Sequence, residues 1–137
     1  MIYANAQGLR TNIDQFRELC ERDKPDILLL AETHITKDHQ DAEVKINGYE
    51  MVRCDSESVH TGGTLIYVSK KIKYEVVSNE NENKTWESTI KVKTSCQHTI
   101  ISDIYKSPNE NFNKFMMFFE NLLKKNARND DINIITG

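Results

Sequence analysis

The sequence predicts an α/β domain, and three observations predict it. A short strand, a helix and a continuously apolar strand follow one another within about thirty residues, the signature of a parallel β-α-β unit. Several strand-length segments, punctuated by glycine and asparagine, then fill the middle of the chain. A long amphipathic helix and a final apolar strand follow them.

Residues 1–4 are short and mostly apolar, which suits a strand, and Gly8 then permits a turn. Thr11 opens a helix, with Asp14 three residues on in a capping-box pattern. Ile13, Phe16, Leu19 and Cys20 fall on one helical face. Pro25-Asp26 ends the helix. The apolar run Ile27–Ala31 has strand length and no polar alternation, as expected of a strand buried on both faces. Residues 35–48 are polar and read as loop with a short helical turn, and 49–53 as a weakly alternating strand. Gly62-Gly63 precedes a strand at 64–68, and Lys70, Lys71 and Lys73 mark a solvated turn before a strand at 73–77. Residues 79–83 read as a hairpin loop. Thr85–Lys93 alternates Trp86, Ser88, Ile90 and Val92 with Glu87, Thr89, Lys91 and Lys93, the pattern of a half-exposed strand. Residues 99–105 form a further strand. Phe112, Phe115, Met116, Phe119, Leu122 and Leu123 recur at helical spacing and read as a core-facing stripe. Residues 132–135 are the last strand.

The chain's 137 residues suit one domain, and its 28% charged and 38% apolar composition is that of an ordinary globular protein. No apolar run approaches the roughly 20 residues needed to span a membrane. The N-terminus lacks a secretory pattern, so an intracellular protein is expected, nuclear or cytoplasmic, and Asn83-Lys84-Thr85 reads as a chance sequon. Cys20, Cys54 and Cys96 are odd in number and widely spaced, which argues for reduced thiols. The net charge is −3, with the acidic excess in the first half. Nucleic-acid binding through bulk positive charge is therefore excluded, and any such binding must be local, metal-assisted or supplied by missing sequence.

Three residues at predicted strand ends are candidates for chemistry. Glu32 follows the buried strand, at the carboxyl edge where α/β sheets bind ligands, and a carboxylate there is a hard ligand suited to Mg²⁺. Asn5 ends the first strand and emerges at the same edge. Tyr105 ends a third strand, where a phenol has a proton to donate to a phosphate oxygen. Each has a plainer reading: a loop glutamate, a turn asparagine, a half-buried strand aromatic. Their convergence on one site is what distinguishes the two accounts. His34, His39, His60 and His98 read as surface or loop histidines.

Taken in order, five segments resemble the endonuclease/exonuclease/phosphatase superfamily. They are Asn5 with Gly8-Leu9-Arg10; Pro25-Asp26-Ile27 leading into Glu32-Thr33-His34; Gly62-Gly63 before a strand; Tyr105 with Pro108-Asn109; and the terminal strand to Gly137. The opening Tyr3-Ala4-Asn5-Ala6-Gln7-Gly8-Leu9 is similar to the apurinic-endonuclease-like domain of non-LTR retrotransposons. The resemblance covers residues 1–137 but only the front part of that domain. It implies the front part of a four-layer α/β sandwich, with mixed sheets flanked by helices, incomplete at the C-terminus. It also implies Mg²⁺-dependent hydrolysis of DNA phosphodiesters, with Mn²⁺ as a possible substitute. By the same resemblance Glu32 binds the metal, Asn5 serves both metal and catalysis, and Tyr105 contacts the scissile phosphate. Gln7 stands where some members have aspartate. The aspartate and asparagine expected after Gly137, and later aspartate–histidine elements, are absent, which implies weak or no activity. The resemblance further implies that this chain supplies mainly one sheet, whose open face invites a complementing C-terminal segment or self-association. The alternative is a non-catalytic module binding protein or nucleic acid on the same scaffold. A hydrolase of phospholipids or inositol phosphates fits the retrotransposon-like opening less well.

Overall fold

In the computed structural model, residues 1–93, 97–127 and 131–137 are described, so Cys96 lies outside the described residues. Two four-stranded mixed sheets face each other, with helices on both outer sides. Strands β1 (Ile2–Asn5), β2 (Ile27–Ala31), β4 (Thr64–Ser69) and β3 (Tyr49–Cys54) form the first sheet in that order. Strands β5 (Tyr74–Glu82), β6 (Thr85–Lys93), β7 (His98–Lys106) and β8 (Ile132–Thr136) form the second. Helices α1 (Leu9–Asp23) and α2 (Asp41–Val44) cover the first sheet, and α3 (Phe112–Asn126) lies on the second.

The continuous apolar run in β2 is explained by its place. Successive side chains point to opposite faces. Leu28 and Leu30 pack under α1 with Leu9, Ile13, Phe16 and Cys20, whereas Ile27 and Leu29 face the second sheet. β4 divides likewise, with Leu65 and Tyr67 on the helical side and Ile66 and Val68 toward Ile90, Val92 and Ile101. Each such fully buried side chain contributes about 1.5–3 kcal/mol.

The expectation of one sheet with an open face is wrong. The chain carries both sheets, because β5–β8 pair among themselves and present Ile90, Val92 and Ile101 to the first sheet. β5 runs on through the asparagine-rich segment to Glu82, and the turn is only Asn83-Lys84, both at positive φ, as a two-residue hairpin requires. α1 begins at Leu9 without a side-chain cap. Gly8 N–H and Leu9 N–H donate to Glu32 O and Thr33 O at 2.9 Å each, so docking on the end of β2 replaces the expected Thr11 cap. β6 is buried on both faces rather than half-exposed, since Glu87 and Thr89 engage Ser78 and Ser102 instead of solvent.

The aromatic stripe of α3 departs furthest from expectation. Asn111 caps the helix, accepting from Asn113 N and Lys114 N. Of the stripe only Leu122 is buried; Phe115, Met116 and Phe119 are half-buried, and Phe112 and Leu123 are 66% and 41% exposed. The sheet face beneath the helix mixes Glu87, Thr89, Lys91 and Ser102 with Ile100 and Ile104, so only part of the stripe meets apolar surface.

Candidate functional site

β1 and β2 run parallel with Asn5 opposite Ala31, so their carboxyl ends emerge together. Asn5 is exposed, and its Oδ1 accepts from Gln7 N at 3.0 Å, an Asx-type turn that aims the amide along the sheet edge. Glu32 follows β2 directly. Its φ is 51° and that of His34 is 56°, left-handed conformations that cost a non-glycine residue about 1–2 kcal/mol. The surroundings enforce them. Glu32 O and Thr33 O accept from the Gly8-Leu9 turn, while Thr33 N and His34 N donate to Gly63 O and Gly62 O at 3.2 and 3.0 Å. Clamped strain of this kind clusters at functional sites.

Tyr105 arrives from the other sheet. Its phenol lies beside the Glu32 carboxylate and the Thr61 side chain. Burial first, then the Glu32 interaction, pushes the phenol above its ordinary range. Asn5 and Tyr105 also line one cavity of about 520 Å³, with Tyr3, Lys106, Phe115, Phe119, Thr136 and Gly137. The three sequence candidates are thus brought to one end of the sandwich, Glu32 against Tyr105 and Asn5 across the shared cavity.

Two groups the sequence reading passed over belong here. Asp103, two residues before Tyr105, is fully buried between the sheets. Its Oδ1 accepts from Thr136 Oγ1 at 3.3 Å, its Oδ2 has no hydrogen-bond partner among the described residues, and burial raises its carboxyl to about 7. The signal was present: strand alternation puts Asp103 on the same face as Ile101 and Tyr105. His34 is half-buried, and burial lowers its imidazole, opposed by Glu32 and reinforced by His60. His34 lies in the loop after β2 and His60 is exposed in the loop before β4, the loop and surface positions expected of them. His39 and His98 are engaged elsewhere, with Arg10 and Thr36, and with Asp131.

Among the described residues no three His, Cys, Asp or Glu side chains group closely enough to enclose a metal ion. One accessible carboxylate and a nearby carboxamide nevertheless form a donor set that fits Mg²⁺, which keeps most of its waters and takes one or two carboxylates. They do not fit Zn²⁺, which prefers nitrogen and sulfur ligands in closed sets.

No family model matches the chain, and no curated protein matches it by sequence. Solved structures do match. A humanized TDP2 of D. rerio superimposes with a TM-score of 0.68 at 18% identity, over 98% of this chain and 59% of that one. The same D. rerio protein has been solved with a single-strand DNA product. The AP endonuclease LMAP from Leishmania major gives 0.65 at 16% identity, over 94% and 50%. The endonuclease domain of TRAS1, a telomere-specific non-LTR retrotransposon, gives 0.66 at 13% identity, over 96% and 56%. The fold of this chain is the one these proteins share, an endonuclease/exonuclease/phosphatase-type fold. The chain spans only 50% to 59% of their lengths.

Proposed function

We propose that this chain is part of a divalent-metal-dependent DNA phosphodiesterase of the endonuclease type, of non-LTR retrotransposon origin, acting inside the cell and weakly active or inactive by itself. The observation that carries the reading is the meeting of Glu32 and Tyr105, from different sheets, at the carboxyl end of β2 and beside a cavity that Asn5 also lines. A bound Mg²⁺, or Mn²⁺ in its place, supplies charge stabilisation at the phosphate and the leaving oxygen. Glu32 is the residue to hold it, with Asn5 as the supporting ligand. The Tyr105 phenol donates a hydrogen bond to a phosphate oxygen, and the Asn5 amide orients the group for attack. Weak activity follows from the supply of bases. The other carboxylate at the site, Asp103, is fully buried and bonded to Thr136, so water attacking a phosphate at the surface does not reach it.

A supercoiled-plasmid nicking assay with Mg²⁺, run beside Glu32→Ala, tests the chemistry. A thermal shift with Mg²⁺, run beside Glu32→Gln, tests the metal site. Mg²⁺ stabilisation that Glu32→Gln abolishes, with little nicking, is the expected result. Strong nicking that Glu32→Ala abolishes refutes the statement about weak activity. Absence of any Glu32-dependent Mg²⁺ effect refutes the metal reading and favours a non-catalytic binding module on the same scaffold.

A further inference from the structure

Tyr105 has two rotatable side-chain bonds, and its hydroxyl meets Glu32 only if the ring is held in one orientation. Cross-strand pairing alone does not hold it. Trp86 on β6 stands directly opposite Tyr105 on β7, on the same face of the sheet. The two rings lie 5.8 Å apart, inclined by 35°. Trp86 is 2% exposed, and Gly62 closes its far side. A Cβ on Gly62 would lie 2.4 Å from the indole carbons, so only glycine lets the indole sit this deep. Gly62 also has φ +86°, a conformation that side chains disfavour.

The same loop performs two further tasks. Gly62 O and Gly63 O hold the backbone N–H groups of His34 and Thr33, which fixes the strained turn carrying Glu32. The Thr61 side chain lies beside the Tyr105 phenol. Residues 61–63 therefore set both partners of the Glu32–Tyr105 pair, one through backbone carbonyls and the other through the indole. The indole N–H is buried with no acceptor among the described residues, a cost of about 1–3 kcal/mol that a phenylalanine would avoid. Stability alone does not account for tryptophan at this position, whereas a flat, wide platform for Tyr105 does.

We propose that Trp86, seated on Gly62, is a positioning residue that holds the Tyr105 ring so that its hydroxyl faces Glu32. The proposal rests on the assignment of Tyr105 to the functional site. Its test reads geometry rather than turnover, so the two stand or fall separately. Trp86→Leu is compared with the parent protein by two-dimensional proton NMR. The readouts are the ring-current displacement of the Tyr105 ring protons and the nuclear Overhauser contact between the Tyr105 ring and the Glu32 side chain. The expected result is loss of both, with the contact between Tyr49 and Tyr67, which pack edge-to-face elsewhere, unchanged. A folded Trp86→Leu protein that keeps the Tyr105–Glu32 contact at full strength overturns the proposal. Should that variant fail to fold, Trp86→Phe keeps an aromatic ring but narrows the platform, and the same contact should weaken; an undiminished contact again overturns it. Loss of the contact in a protein that neither binds Mg²⁺ nor nicks DNA upholds the positioning role and refutes the hydrolase reading. If nicking is present, Trp86→Leu should lower kcat with KM little changed, and a change confined to KM counts against positioning.

Discussion

Asp103 should make the protein less stable as pH rises, and Asp103→Asn should remove that dependence. Burial, aided by Glu87 and opposed by the Thr136 hydroxyl, moves its carboxyl from the ordinary 3.8 to about 7. The folded state therefore keeps its proton at a pH where the unfolded chain has released it. The stabilisation from the neutral form is complete below the unfolded value and is lost progressively as pH rises through the folded one. At about 1.4 kcal/mol per pH unit, the displacement sets a ceiling of roughly 4 kcal/mol across the window. About two-thirds of that falls between pH 5 and pH 8, so wild type should lose on the order of 2–3 kcal/mol relative to the variant over that range. The absolute offset between them is harder won. Asparagine keeps a carbonyl for Thr136 but places an amide N–H where Oδ2 has no partner among the described residues, costing about 1–3 kcal/mol. Urea unfolding of both proteins at fixed ionic strength measures the difference, provided the denaturant slopes agree. Glu87 and His34 are also displaced by burial, but they are common to both proteins and largely cancel. Parallel stability profiles between pH 5 and pH 8 would refute the reasoning, and so would a wild type that gains on the variant as pH rises.

Ile66→Ala removes a fully buried side chain at the contact between the sheets and should cost about 2–5 kcal/mol in urea unfolding, whereas Val76→Ala at a 53%-exposed position should cost under about 0.5. Asn111→Ala deletes the acceptor for two backbone N–H groups at the start of α3 and should cost about 1 kcal/mol, read by the same method. β8 is an edge strand with no charged side chain from 132 to 137, and Ile132 and Ile135 are exposed. An unprotected edge of this kind pairs with other chains. Ile132→Lys combined with Ile135→Lys should therefore reduce concentration-dependent association in sedimentation velocity, and identical behaviour of the two proteins would show that the edge is not the contact.

Much of the fold was legible because burial writes itself into periodicity. β2 has no polar residue because both its faces are covered, and α1 shows a clean stripe because one face is. The division into two sheets was not legible. Nothing local distinguishes a strand that extends one sheet from a strand that founds another, and that choice rests on non-local pairing. The alternation in β6 misled for a related reason. Glu87 and Thr89 look like solvent-facing residues, yet their hydrogen bonds to each other, and to Ser78 and Ser102, let them be buried. In α3 the error ran the other way. A helical stripe of phenylalanine and methionine reveals an apolar face but not how much of it is covered, and here the opposing sheet face mixes isoleucines with Glu87, Thr89, Lys91 and Ser102.

The site was legible to the extent that its residues end strands. Asn5, Glu32 and Tyr105 could each be placed at a sheet edge, because strand ends follow from where apolar runs stop. What brings them to bear is a set of features with little one-dimensional trace: the left-handed backbone at Glu32 and His34, and the glycine loop that clamps it. Glycine at 62 and 63 looked like punctuation before a strand. In space those residues supply carbonyls to the Glu32 turn and an empty face to Trp86. A turn glycine needs only a permissive φ. Gly62 needs that and also the missing Cβ, since any larger residue would displace the indole on which Tyr105 rests. Substitution at Gly62 should therefore disturb the Glu32–Tyr105 pair from a position that touches neither side chain, an effect that a simple turn glycine would not produce.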